Sequence, residues 1–164
     1  MHALPAIHVP RDASARIPWL LLGGHTVATF DLAFAILFWV PQGASATRVL
    51  QSIASWFLGS QAYAGGAATA LLGALAYGQL MWGVVALYRA LSRRWPVLLQ
   101  RPFAFGAAYG VLAWFAIFRL AVPLLALHDP DSSRVDWTLA CIAVYALLVG
   151  IPCARVARAA AAAD

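Results

Sequence analysis

Three ionisable side chains lie inside long apolar stretches of this 164-residue sequence: His25, Asp31 and Arg119. Charged groups at membrane depth are expensive, so they are retained where they pair, bind or move charge. Asp31 and Arg119 open two readings. As an ion pair they pin two helices together; as a site, Arg119 holds an anionic or zwitterionic ligand with Asp31 as the resting counter-charge. A proton relay fits poorly with a permanently charged arginine beside the carboxylate. Counting back along the helices at the usual rise puts Asp31 about 13 Å and Arg119 about 12 Å below one surface, so the two can meet. Tyr145 comes to a similar depth, and its hydroxyl can donate to the carboxylate. His25 lies deeper, level with Gln79, which predicts a His25–Gln79 hydrogen bond between helices. His25 and Asp31 point about 120° apart around their shared helix, so they do not form a dyad.

Other chemistry is thin. No HExxH, GxSxG, phosphate-binding loop or dinucleotide fingerprint occurs, and no nucleophile can be paired with a base, so no catalytic residue and no cofactor is assigned. His128-Asp129-Pro130-Asp131 gathers oxygen and nitrogen donors, but Asp-Pro-Asp-Ser-Ser also reads as a turn leading into a helix cap, and no metal site is assigned. Cys141 and Cys153 fall on one helix about 18 Å apart, too far for a disulfide, and read as small buried hydrophobes.

The elements that must position these groups are apolar. The chain is 63% hydrophobic and 10% charged, with a mean hydropathy of +0.80. That excludes a disordered or purely aqueous protein and predicts an all-α integral membrane four-helix bundle, one transmembrane domain over residues 1–164. The spans fall at about 17–40, 62–88, 103–127 and 135–153. Pro41-Gln42-Gly43 stops the first, Arg101-Pro102 opens the third, and the Ala-rich end continues the last. Arg11 and Arg16 before the first span, and Ala44-Ser45-Ala46 after it, resemble a signal peptide. The apolar run is too long for one and carries His25 and Asp31, so it reads as a retained span.

The net charge of +5 comes from eleven basic residues, all Arg, most of which flank apolar runs. They read as topology signals, not as a nucleic-acid surface. Arg11, Arg16, Arg89, Arg93, Arg94, Arg101, Arg155 and Arg158 fall on one side, whereas Arg48 and Arg134 fall on the other. The positive-inside rule then places both termini in the cytoplasm of a bacterial inner membrane. Trp19, Trp39, Trp82, Trp95 and Trp137 lie at or near the predicted ends, where amphipathic rings settle.

Between the first two spans, Val49, Leu50, Ile53, Trp56 and Phe57 follow helical spacing while Arg48, Gln51, Ser52 and Ser55 fall elsewhere. This predicts an amphipathic helix at about 46–58 lying in the periplasmic interface, capped by Ser45 or Thr47 and ended by Gly59. Small residues mark the contact faces: Ala62, Gly66, Ala70, Ala74 and Gly78 on the second span, Gly106 and Gly110 on the third, Gly24 and Ala28 on the first. They serve packing within the bundle, a second copy of the chain, or a partner helix.

Gly24-His25-Thr26-Val27-Ala28-Thr29-Phe30-Asp31, Arg48-Val49-Leu50-Gln51-Ser52-Ile53-Ala54-Ser55 and Ala64-Gly65-Gly66-Ala67-Ala68-Thr69-Ala70-Leu71-Leu72-Gly73 resemble small bacterial inner-membrane proteins of the YagU-like group. The likeness extends through Arg101-Pro102 and Tyr109-Gly110, and the chain departs from the group near Gln79 and Arg119. The resemblance implies a fold and a location, not a reaction. Two functions stay open. One is a non-enzymatic bundle whose partners are the lipid bilayer and another copy or membrane protein. The other is a small transporter or ligand-binding protein using Asp31, Arg119, Tyr145, His25 and Gln79.

Overall fold

Apolar runs of this length satisfy their backbone polar groups most cheaply as helix, and helix is what forms. The computed structural model describes residues 17–127 and 134–163, and among these no strand occurs. The readings that rest on Arg11, Arg16 and the loop at 128–131 lie outside the described residues. The helices are α1 (Ile17–Trp39), α2 (Ala46–Leu58), α3 (Gly66–Arg94), α4 (Pro102–Phe115), α5 (Val122–Leu125), α6 (Val135–Val144) and α7 (Ile151–Ala163). A π-helical stretch, Ala116–Ala121, joins α4 to α5, and another, Tyr145–Gly150, joins α6 to α7. Four continuous helices thereby result that are long and apolar enough to cross a membrane: Trp19–Gln42, Gly66–Arg94, Pro102–Leu124 and Val135–Ala162. By length and composition the chain is a multi-pass membrane protein.

Both π stretches have a cause in the sequence. Pro123 and Pro152 have no N–H to return to the preceding turn, and each stretch ends two residues before its proline. The ladder widens there instead of breaking: the Val122 N–H reaches the Ile117 carbonyl and the Ile151 N–H reaches that of Ala146. The last helix therefore passes through Pro152 and continues along the Ala-rich end to Ala163.

The first crossing runs antiparallel to the second, since Gly24 lies under Trp82 and Asp31 meets Tyr77. Gly106 likewise faces Gly150, while Gly110 faces Tyr145, so the third and fourth crossings are antiparallel. Here the predicted GxxxG pair works as read, because a Cβ at either glycine would strike the backbone of the fourth crossing. The second crossing differs from expectation. Its helix starts at Gly66, and its buried side is Ala70, Gly73, Tyr77, Met81, Val84, Val85 and Tyr88. Of the stripe of small residues, Ala62 lies in the preceding 3-10 turn, Gly66 is exposed, and Gly78 meets nothing within 4 Å. The helix also extends to Arg94, which leaves Trp82 inside the span instead of at its end.

The helix α2 forms over the predicted residues, with the Ser45 hydroxyl accepting from the Arg48 N–H at 3.1 Å and Gly59 closing it at φ 61°. Its packing face is only in part the one expected. Gln51, Ala54 and Ser55 are buried with Val49 and Ile53, while Phe57 is exposed. Gly73 permits this, because it lets the α2 backbone at Leu50 and Ala54 rest directly on α3. Gln51 is satisfied there, donating to the Gly66 carbonyl at 2.9 Å and to the Thr69 hydroxyl at 3.3 Å. At the same end of the bundle the Leu127 N–H donates to the Trp56 carbonyl at 2.9 Å, and Arg134 reaches Gln42.

Candidate functional site

Beneath α2 the crossings do not close. A cavity of about 380 Å³ lies between α1, α2 and the third and fourth crossings, with Asp31, Tyr77 and Tyr145 at its polar floor. Its walls are largely aromatic: Phe34, Trp56, Phe118 and Trp137 line it. Phe34 stacks on Trp137 with centroids 5.7 Å apart and planes inclined by 3°, and Phe118 meets Tyr145 edge-on at 5.7 Å. Arg48 stands at the rim, exposed, its guanidinium 4.8 Å from the centre of the Tyr63 ring.

The floor is an ordered chain of hydrogen bonds. The Tyr77 hydroxyl donates to the Asp31 carboxylate, and the Tyr145 hydroxyl lies 2.8 Å from that of Tyr77. A phenol carries one proton; with Tyr77 donating to Asp31, Tyr145 must be the donor to Tyr77. Both rings are almost fully buried, and Asp31 retains 8% of its surface. Each of the three residues comes from a different crossing, and Tyr145 opens the π stretch of its own. The π turn places the hydroxyl in the interior while Gly110 receives the widened backbone.

The expected Asp31–Arg119 contact does not form. Arg119 is exposed, and its guanidinium lies 5.4 Å from the centre of the Trp114 ring on its own helix. The azimuth forbids the contact: Arg119 lies nine residues beyond Gly110, about 180° around a regular helix from the face that meets the fourth crossing. Ile117 and Val122, five apart, share the buried side, and Arg119 falls outside. No hydrogen bond joins His25 to Gln79. The His25 Nδ1 pairs with the Leu21 carbonyl at 2.8 Å on its own helix, its ring lies 5.0 Å from that of Trp82, and Gln79 is exposed. Trp82 has taken the place across from His25 that Gln79 was expected to fill. Tyr145 does join the carboxylate, but through Tyr77, which sequence reasoning passed over.

Cys141 lines the cavity, whereas Cys153 is fully buried elsewhere; both are free thiols. Among the described residues no group of three metal-ligating side chains gathers. Comparison with family models, curated proteins and solved structures gives no match to the chain.

Proposed function

We propose that this chain is a ligand-binding protein of a bacterial inner membrane, taking a small molecule into the cavity beneath α2. The observation that carries the reading is Asp31. It is a carboxylate on the wall of a 380 Å³ cavity, held by one tyrosine, with no cation paired to it among the described residues. A buried carboxylate whose sole purpose is to hold helices together is normally matched by an opposite charge. Here the charge faces open volume of the size that small ligands occupy, about 300–1,000 Å³. In this reading both termini are cytoplasmic, as the arginine distribution implies, and α2 lies in the periplasmic interface as a roof over the cavity.

The test uses a thiol the protein already has. In vesicles, a small membrane-impermeant maleimide added on the α2 side reaches Cys141 through the cavity and leaves Cys153 untouched. Equal protection of both cysteines contradicts a cavity open to that side.

Assembly remains a second reading on one observation: Gly78 meets nothing within 4 Å, so the surface of α3 around it is open to another helix. Gly78→Leu then abolishes crosslinking between copies without unfolding the monomer.

A further inference from the structure

We infer that the ligand is a small organic cation, an ammonium carrying apolar substituents; the inference rests on the ligand-binding reading above. Three features select that class. First, the carboxylate of Asp31 and the hydroxyls of Tyr77 and Tyr145 are the polar groups at the floor, and their chain of donors ends on the carboxylate. The negative end of the network therefore faces the cavity, where an anion would be repelled and a cation held.

Second, the walls present ring faces and edges from Phe34, Trp56, Phe118 and Trp137. Aromatic faces attract cations through their quadrupole and bury alkyl substituents at the same time, the combination by which quaternary ammonium groups are recognised. A neutral apolar guest would cover the carboxylate without pairing it, and a metal ion would lack ligands among the described residues.

Third, the cavity's cationic residue stands apart from the floor. Arg48 is at the rim, exposed to screening and stacked on Tyr63. Salt and water weaken its repulsion, while the buried Asp31 acts in a medium of low dielectric. Arg48 also gives the inference an edge on which to fail, since a zwitterion could bridge Asp31 and Arg48.

The experiment is a titration of intrinsic tryptophan fluorescence on the full chain in lipid nanodiscs, reported by Trp39, Trp56 and Trp137, which line the cavity. The probes are benzyltrimethylammonium, its uncharged isostere neopentylbenzene, and phenylalanine as a zwitterion. Saturable binding of benzyltrimethylammonium is expected, at least about tenfold tighter than the isostere and weakened about as much by Asp31→Asn. Phe118→Leu, which keeps the carboxylate and removes a wall ring, should weaken it by a few-fold and serves if Asp31→Asn does not fold. Equal affinity for the isostere overturns the cation inference and leaves the ligand-binding reading standing. So does tighter binding of phenylalanine that is lost in Arg48→Gln. If no probe binds while Cys141 is shielded from the maleimide, both fall.

Discussion

Tyr77 stands between Asp31 and Tyr145: its hydroxyl donates to the carboxylate and lies 2.8 Å from the hydroxyl of Tyr145. One phenol thus ties the first, second and fourth crossings together at the floor of the cavity. Removing it leaves two buried polar groups short of a partner. Tyr77→Phe should destabilise the protein by about 1–2 kcal/mol, the range of a hydrogen bond between membrane helices. Titration of unfolding in mixed detergent micelles measures it. Tyr145→Phe, at the end of the chain, should cost less.

Packing glycines separate into those in contact and those that face open space. Gly110→Ala drives a methyl into the backbone of the fourth crossing at Tyr145 and should destabilise by about 1–3 kcal/mol, the range of overpacking in a closed core. Gly83→Ala, with nothing within 4 Å, should stay within about 0.5 kcal/mol or stabilise slightly through helix propensity. The same unfolding titration separates the two.

The seat of α2 depends on Gly73 and Gln51. Gly73→Val pushes the helix off α3, and the cavity roof then lifts. The expected result is faster maleimide labelling of Cys141 with little change in helix content by circular dichroism. Gln51→Leu removes the donor to Gly66 and Thr69 and should have the same direction at about 1 kcal/mol.

Pro152 sets the π turn that begins at Tyr145. With Pro152→Ala the N–H at 152 can return to the Leu148 carbonyl, and the turn is free to tighten toward α-helix. Helix stability should rise while binding of benzyltrimethylammonium weakens by a few-fold. A variant that gains stability and binds unchanged shows that the π turn does not position the site.

Much of this was legible in the residues, and the failures concern which side of a helix faces its neighbours. Length and hydropathy place the crossings, Ser45 and Gly59 mark the ends of α2, and Gly106 with Gly110 announces a close helix contact, because each depends on local composition. That Asp31 and Tyr145 come to one level in the bundle follows from counting residues. Azimuth does not, since a π turn shifts the phase of all that follows it by about 100°. Arg119 was misjudged for a simpler reason: it lies about 180° around the helix from Gly110, so the glycine face already turned it away from an ion pair. A signal for the π turns was present in the prolines two residues beyond each stretch. Tyr77 offered less: a tyrosine in an alanine-rich helix looks like any other until the helix facing it is known. The polar side of α2 misled because Gln51 donates to Gly66 and Thr69 on α3 and Ser55 donates to the Ser52 carbonyl of its own helix, so both can be buried.

The most direct test is a pair of double-mutant cycles measured by unfolding in mixed micelles, one with Asp31→Asn and Tyr77→Phe, the other with Asp31→Asn and Arg119→Gln. If Asp31 is held by Tyr77 and otherwise faces the cavity, the first pair couples by about 0.5–2 kcal/mol and the second by less than about 0.3 kcal/mol. Strong coupling of Asp31 to Arg119, with none to Tyr77, would mean that the carboxylate belongs to an ion pair, and the cavity would lose the charge on which the account depends.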